Sequence, residues 1–174
     1  MIIEIKPDSD ENIHTESLNN EINIFLAGSI DMGQAKNWNS DIIKKLEDSD
    51  IIKSDIKVYN PRRVSWDSSW TQEQSNSEFN YQVNWELSNI EESDIIFFNI
   101  LPDSKSPITL MELGLCAGKE KKSIVCCPDG FYRKGNVDVI CTRYGIQQYQ
   151  DIDSAFGALL TTLNKMERSR TNKN

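Results

Sequence analysis

The run Ile95–Leu101, IIFFNIL, followed by Ser106–Gly118, SPITLMELGLCAG, decides the fold. The first run is mostly apolar and does not alternate, which is typical of a central strand of a parallel sheet that is covered on both faces. After a short polar turn, the composition predicts a helix over Pro107–Lys119. This helix carries one carboxylate, Glu112, among apolar and small residues. The order strand, turn, helix therefore indicates one unit of an α/β protein, with Glu112 close to the end of its strand.

The same order of elements recurs along the chain. Apolar runs predict strands at Ile22–Ala27, Ile56–Tyr59, Ser123–Cys127 and Ile146–Tyr149, and helical spacing predicts helices at Gln34–Asp50, Glu78–Glu92, Asn136–Tyr144 and Ile152–Met166. Strands that alternate with helices predict a single doubly wound α/β domain of the flavodoxin or Rossmann type. Its parallel sheet would have five strands, with helices on both faces.

The predicted domain spans residues 22–166. We expect residues 1–21 to be a polar segment in which Met1–Lys6 could add an edge strand, and residues 167–174 to be a disordered tail. The chain has 174 residues and a net charge of -8, which argues against a nucleic-acid polymer as partner. The apolar runs are too short to cross a membrane and no signal-peptide pattern opens the chain, so we expect no membrane association and a cytoplasmic location.

Histidine and cysteine usage narrows the chemistry. The four cysteines show no CxxC spacing, and the only histidine is His14. We therefore expect no metal site, no cofactor and no Ser-His or Cys-His couple. Any acid-base chemistry must rest on carboxylates, amides, hydroxyls or arginines.

In doubly wound folds, ligands bind beyond the carboxyl ends of the strands. Three predicted segments meet there, namely the Gly28-Ser29 turn, the Asn60–Trp70 loop and Ser106–Glu112. This rule places Glu112 in a ligand crevice but does not identify the reaction.

Six segments carry a resemblance to a known family, in order from about Ile22 to Ile146. They are IFLAGSI, VYNPRR, QVNWEL, IIFF, SPITLMELG and NVDVICTRYG. Together they resemble the nucleoside 2-deoxyribosyltransferase family and its relatives, the deoxynucleoside monophosphate N-glycosidases. The resemblance implies a doubly wound fold and a homodimer or larger homo-oligomer, in which the neighbouring subunit completes the pocket. It also implies small-molecule nucleosides, nucleotides and nucleobases as ligands, and cleavage of the N-glycosidic bond through a covalent glycosyl-enzyme.

The resemblance implies that Glu112 is the nucleophile and that Glu86, in QVNWEL, hydrogen-bonds the nucleobase and manages its proton. Relatives mostly have aspartate at the position of Glu86, so the longer glutamate could change the base preference. Without a catalytic role, Glu112 would be a helix N-terminal carboxylate that stabilises the dipole, and Glu86 a solvated surface residue.

Ser106 and Asp31 give opposing indications about whether the substrate carries a phosphate. Transferases of the family often have aspartate at the position of Ser106, where it contacts the sugar 5'-hydroxyl, whereas the monophosphate glycosidases have a serine that contacts phosphate. Asp31 stands where the monophosphate glycosidases have a basic residue, and a carboxylate close to a phosphate is unfavourable. Arg62 or Arg63 could compensate, or could form surface salt bridges.

Five further residues are candidate ligands. Gly28, Ser29 and Asn60 are candidates because they belong to the converging segments. Asn136 and Asp138, in GNVDV, match a segment that the family lends to the neighbouring subunit, but they also suit a turn and helix cap.

Aromatic residues have structural alternatives too. Trp66 and Trp70 could stack on the base or be buried anchors, while Trp38 and Trp85 lie on helical stripes that predict core positions. Phe25 stands near a family tyrosine that helps to hold the nucleophile, and we expect it to be a core residue.

Three hypotheses follow. The first is a pentosyltransferase that passes the deoxyribosyl group from a 2'-deoxynucleoside to another base. The second is an N-glycosidase that acts on nucleosides or their 5'-monophosphates with water as acceptor. The third is a nucleotide-binding or sensing module without turnover, which the phenylalanine at position 25 keeps open.

Overall fold

The computed structural model of the protein describes residues 1–8, 21–30, 37–63, 67 and 69–171. The strands are β1 (Ile2–Ile5), β2 (Ile22–Gly28), β3 (Ile56–Tyr59), β4 (Ile95–Asn99), β5 (Ser123–Cys126) and β6 (Gln147–Tyr149). The helices are α1 (Trp38–Glu47), α2 (Ser77–Glu92), α3 (Pro107–Gly118), α4 (Lys134–Tyr144) and α5 (Ile152–Thr171). None of the helices in these ranges is long and apolar enough to span a membrane.

The strands form one parallel sheet in the order β1-β3-β2-β4-β5-β6. This confirms the predicted α/β fold, but the sheet has six strands rather than five. The additional strand is β1, which pairs in parallel with β3 and places Ile3 opposite Lys57. Strand β1 forms one edge of the sheet. The sequence left this strand uncertain because polar residues follow it.

The topology creates a switch point between β2 and β4. The chain passes from β2 through α1 to β3 on one side, then returns through α2 to β4 on the other side of β2. Loops that leave the carboxyl ends of β2 and β4 therefore diverge, which leaves a crevice between them. The Ser29 amide donates to the Asn99 carbonyl at 3.0 Å and ties the two strand ends together.

Helices cover both faces of the sheet. On one face α1 and α5 pack through Trp38, Ile42, Leu46 and Leu159 against inward-pointing residues of the strands. On the other face α2, α3 and α4 contribute Ile90, Leu113, Cys116, Val137 and Cys141. Central strands buried on both sides explain why their apolar runs do not alternate. Since α2 and α3 share a face, their side chains can meet at the carboxyl edge of the sheet.

The end of β2 is packed too closely for any residue except glycine. A Cβ atom on Gly28, whose φ is 156°, would lie 2.3 Å from the Asn99 carbonyl oxygen and 2.7 Å from Trp38 Cζ2. Contacts this short require the backbone to move. Gly28 thus has a packing role, and it fixes the position of the residue that follows it.

Two element boundaries differ from the predicted ones. Helix α5 continues to Thr171, so residues 167–171 are helical rather than a disordered tail; residues 172–174 lie outside the described residues. Tertiary contacts hold this last turn, because Glu167 accepts hydrogen bonds from the amides of Lys53 and Ser54, and Arg170 donates to the Glu21 carbonyl. Helix α4 begins at Lys134, so Asn136 and Asp138 lie inside a helix and not in a loop or turn.

Candidate active site

Glu112 lies in the second turn of α3, and only 8% of its surface is exposed. No acidic residue lies in the first turn of this helix, so the alternative of a dipole-stabilising N-terminal carboxylate is wrong. Burial, and then the charge of Glu86, raise the pKa of Glu112 well above its usual value. A carboxylate is expensive to bury without a charged partner, and such a group indicates a functional position.

Glu86 reaches the same region from α2. Its Oε1 accepts a hydrogen bond of 2.7 Å from Gln82 Nε2. Burial raises the pKa of Glu86 to about 7, although the Gln82 hydrogen bond opposes this shift. A solvated surface carboxylate would have no such shift, so Glu86 is suited to exchange a proton at neutral pH.

The two carboxylates form a coupled pair. Because the charge of Glu86 raises the pKa of Glu112, both ionised forms together are disfavoured. The pair therefore retains one proton near neutral pH, and its titration belongs to both groups. One protonated and one ionised carboxyl group supply an acid and a nucleophile in the same site.

Three serine hydroxyls converge at the turn that leads into α3, the helix that carries Glu112. The Oγ atoms of Ser29, Ser104 and Ser106 lie 2.6 Å from one another, and all three residues are buried. We call them the serine cluster. The Leu101 amide donates to Ser29 Oγ, and Ser104 Oγ donates to the Leu101 carbonyl, both at 2.9 Å. The cluster joins the end of β2 to the turn before α3.

Ser106 has a left-handed backbone conformation with φ of 45°, and its side chain does not cap α3. This conformation is uncommon for residues other than glycine, and such strain concentrates at functional sites. It directs the hydroxyl to the serine cluster. Ser104 was not among the predicted site residues; the signal available was a second serine two positions before Ser106 in the same turn.

Other predicted ligands have structural partners. Asn60 is buried, donates through Nδ2 to Glu4 at 2.7 Å and accepts through Oδ1 from the Arg62 amide at 3.1 Å. It thereby holds β1 against the loop after β3. The structure does not describe Asp31 or Trp66, so their predicted roles lie outside the described residues.

Arg63 and Trp70 contact each other. The Arg63 guanidinium lies 5.0 Å from the centre of the Trp70 ring, and Nη2 donates to Glu78 at 3.4 Å. Cation-π stacking of this kind holds a long side chain in place. Arg63 thus forms a salt bridge and Trp70 serves as an anchor, which are the structural alternatives given for these two residues above.

Asn136 and Asp138 face different surroundings on α4. Asp138 accepts hydrogen bonds from Lys134 at 2.8 Å and Gln148 at 2.6 Å, which lower its pKa. Asn136 is exposed and lines a groove of about 270 Å³ between α3 and α4. Of the two, Asn136 is placed to reach another molecule, whereas Asp138 serves its own subunit.

Phe25 and Trp38 are confirmed as core positions, and Trp85 is partly buried against the core. Phe25 is fully buried with its ring 6.3 Å from that of Trp85, which also packs on Tyr59 at 6.2 Å. Trp38 is buried and donates through Nε1 to the Ser29 carbonyl at 3.0 Å. Phe25 has no hydroxyl to offer Glu112, and its ring packs against Trp85 in the core.

The cysteines do not offer a competing nucleophile. All four are buried, and burial together with the charge of Glu112 raises the pKa of Cys116 to about 12. A protonated thiol is a weak nucleophile. No group of His, Cys, Asp and Glu side chains in the described ranges is arranged to hold a metal ion.

A larger cavity, of about 670 Å³, lies at the opposite edge of the sheet. Lys122, Arg143 and Lys165 line it beside the C-terminal ends of α3 and α4. Basic residues complement the negative end of a helix dipole, which accounts for their presence there. The carboxyl edge remains the candidate site because it combines the switch point with the buried carboxylates.

The raised pKa of Glu86 predicts how the stability of the protein depends on pH. Its folded value of about 7 exceeds the unfolded value of 4.5, so folding is favoured at low pH and loses stability as the pH rises through 7. Between pH 5 and pH 8, we expect the free energy of unfolding of the wild type to fall by about 2 kcal/mol relative to that of Glu86→Gln, which cannot ionise. Urea denaturation at both values measures this difference.

Glu91→Gln is the matched control on the same helix. The pKa of Glu91 is lowered by its hydrogen bond to Lys119, so this group stays ionised over the whole interval. Its substitution should leave the pH dependence of unfolding unchanged. Equal pH dependence in the wild type and Glu86→Gln would show that Glu86 titrates normally.

Comparison with known proteins agrees with this architecture. The solved structure of a conserved protein from Enterococcus faecalis V583 is similar over 83% of this chain and 98% of that chain, with a TM-score of 0.57 and 13% sequence identity. At this identity the likeness supports the fold alone. No curated protein sequence matches the chain. The model of the family described as nucleoside 2-deoxyribosyltransferase like matches residues 21–131, which include β2, both carboxylates and the serine cluster, and the chain belongs to this family.

Proposed function

We propose that the protein cleaves the N-glycosidic bond of 2'-deoxynucleosides and transfers the deoxyribosyl group to another nucleobase. The observation that carries this proposal is the coupled carboxylate pair, Glu86 and Glu112, at the carboxyl edge of the sheet. The reaction needs one carboxylate to bond the anomeric carbon and one acid to protonate the departing base. Membership of the family supports the same choice of substrate class.

Substrate binding would set the protonation of the pair. Burial raises the pKa of Glu112 and so favours a proton on this group in the free protein. A nucleobase ring nitrogen beside Glu86 accepts a hydrogen bond from the protonated form and stabilises it. The proton of Glu112 thereby passes to Glu86, and the neutral Glu86 no longer repels the charge left on Glu112. Binding thus converts Glu112 into the nucleophile.

In the first step, Glu86 donates its proton to the ring nitrogen of the base. The bond between the base and the anomeric carbon breaks, its electron pair leaves with the base, and a Glu112 oxygen bonds the anomeric carbon. In the second step, the acceptor base attacks that carbon, the ester bond to Glu112 breaks, and the acceptor's proton returns to Glu86. Two displacements give net retention of configuration.

Replacing Glu112 tests the nucleophile. We expect Glu112→Gln to reduce nucleobase release by at least about a thousandfold, because the covalent step loses its attacking atom. Release is measured by chromatography after incubating one deoxynucleoside with a different free base. Mass spectrometry of the quenched wild type should detect a deoxyribosyl adduct that Glu112→Gln lacks.

Glu120→Gln, in the exposed turn after α3, is the matched control and should keep wild-type turnover. Formation of a new nucleoside identifies transfer, whereas free base plus free sugar identifies hydrolysis. Unchanged turnover in Glu112→Gln would overturn the assignment. Tight nucleotide binding by a wild type that forms no product would favour the non-catalytic binding module.

The serine cluster favours a second candidate, an N-glycosidase that acts on deoxynucleoside 5'-monophosphates. Three hydroxyls that bond one another can rotate to donate to one anion, and α3 begins beside them with the positive end of its dipole. With a rise of 1.5 Å per residue, Glu112 lies roughly 9 Å further along the helix. That separation is on the scale of one sugar-phosphate unit.

Replacing Ser106 with Ala distinguishes the two substrate classes. If a 5'-phosphate binds the cluster, we expect the KM for the monophosphate to rise about tenfold or more and that for the nucleoside to change little, since a hydrogen bond to a charged group contributes about 1.5–3 kcal/mol. Steady-state kinetics with both substrates measure the ratio. Ser123→Ala, at the buried start of β5, is the control. Equal changes for both substrates would exclude phosphate recognition.

We also propose that the protein forms a homodimer through α3 and α4. Leu110, Val137 and Ile140 line the groove together with Asn136. Elsewhere on the same two helices, Met111 is 71% exposed, and Ile108 and Val139 are exposed as well. Apolar surface of this kind marks an interface. Each subunit would then lend Asn136 to the pocket of its partner, as the family resemblance suggests.

Charging this surface tests the interface. We expect wild type to have the mass of a dimer in light scattering, and Met111→Glu to shift toward the monomer because it buries a charge. Nucleobase release should fall in parallel as the pocket loses its second subunit. Ile51→Glu, at an exposed apolar residue after α1, is the control. A monomeric wild type would contradict the interface.

A further inference from the structure

Gln82 is a buried amide that lies one helical turn before Glu86 on α2. Only 4% of its surface is exposed. Its Nε2 donates to the Pro61 carbonyl at 3.0 Å and to Glu86 Oε1 at 2.7 Å, so both of its N–H groups are used. Residues four apart share a helix face, which is why this side chain reaches the carboxylate.

The orientation of the amide is fixed by Pro61. A carbonyl oxygen can only accept, so turning the Gln82 amide around would place Oε1 against the Pro61 oxygen. Pro61 is itself buried and follows Asn60, whose side chain is bonded on both sides. At the other end, Asn76 caps α2 by accepting from the Phe79 amide at 3.0 Å and fixes where the helix starts. Nε2 is therefore held toward Glu86.

This arrangement distinguishes the two oxygens of Glu86. In a protonated carboxyl group, the oxygen without hydrogen is the better acceptor. Because Oε1 accepts from Gln82, the proton belongs on Oε2. The amide thus leaves one defined oxygen to deliver a proton to a ligand.

The amide is unfavourable for the fold itself. Gln82 Oε1 is buried and has no hydrogen-bond partner among the described residues. A buried acceptor without a partner destabilises the fold, and methionine or leucine at this position would avoid it. Either replacement would also remove the donor to the Pro61 carbonyl, so glutamine serves both that carbonyl and Glu86.

We propose that Gln82 is a positioning residue for Glu86, which holds Oε1 as an acceptor and directs the transferable proton to Oε2. The role rests on the proposed function of Glu86 as the acid toward the nucleobase. Other titratable groups around Glu86 are Glu112, from α3, and Tyr59, which packs on Trp85 from β3. The hydrogen bond that Glu86 accepts in the described part of the chain comes from Gln82 and from neither of these groups.

Gln82→Met tests the role, since it keeps the length of the side chain and removes the donor. We expect kcat for nucleobase release to fall about tenfold while KM stays within about twofold, as is reasonable for a misdirected general acid. The Gln82 bond lowers the pKa of Glu86. Its removal should therefore move the alkaline limb of the kcat profile up by about one pH unit. Gln82→Leu is the second variant if the first fails to fold.

Asn84→Met is the matched control, because Asn84 lies on the same helix but is exposed and bonds only Asn80. It should leave kcat and the pH profile unchanged. The melting temperature of Gln82→Met should fall to the extent that the Pro61 carbonyl loses its donor, whereas the alkaline limb reports the bond to Glu86. A lower melting temperature with an unmoved alkaline limb would assign Gln82 a structural role and overturn the proposal.

Titration by ¹³C NMR separates this proposal from the proposed function. Carboxyl labelling of glutamate, with the Glu86 signal identified by its loss in Glu86→Gln, reports the pKa without any turnover. If the wild type releases no nucleobase, the proposed function fails, yet a higher Glu86 pKa in Gln82→Met still supports the hydrogen-bond role. If the wild type is active and the Glu86 pKa is the same in both proteins, the Gln82 proposal alone fails.

Discussion

Repulsion between the buried carboxylate of Glu112 and the partly buried carboxylate of Glu86 is the constraint on which the site depends. Glu86 and Glu112 come from neighbouring helices on one face of the sheet, and neither has a basic residue among the causes of its pKa shift. Because no basic group of the described residues lowers the pKa of either carboxyl group, the pair relieves its repulsion by retaining a proton. An arginine in the same place would favour both ionised forms and remove the acid. The raised pKa values of Glu86 and Glu112 therefore depend on the surroundings of the two groups as much as on their mutual repulsion.

Such a pair needs a scaffold that cannot relax around it. The close approach of Gly28 to Asn99 and Trp38 fixes the end of β2, and the Trp38 indole holds the Ser29 carbonyl. Through its hydroxyl, Ser29 then contacts Ser104 and Ser106 at the start of α3. These contacts form a continuous path of close packing from α1 to the helix that carries Glu112, which limits movement of the carboxylate into solvent.

The sequence predicts the features that depend on local pattern. It misses those that depend on contacts between segments distant in the chain. Unalternating runs such as IIFF identify buried strands, and the switch-point rule brings Glu112 and the Gly28-Ser29 turn to the same edge. The pairing of β1 and the last turn of α5 rest on distant contacts, such as those of Glu167 with Lys53 and Ser54. Gln82 was missed for the same reason, because its role requires Pro61 from another loop.

The surroundings of the two carboxyl groups also bear on how a phosphate would be held. Neutral hydroxyls and the dipole of α3 can bind an anion without placing a full positive charge beside the carboxylates. A lysine or arginine at the serine cluster would lower the pKa of Glu112 and make the retained proton harder to keep. Recognition by Ser29, Ser104 and Ser106 is thus compatible with an acid that works at neutral pH. The same electrostatic requirement links the choice of phosphate ligands to the chemistry at the other end of the sugar.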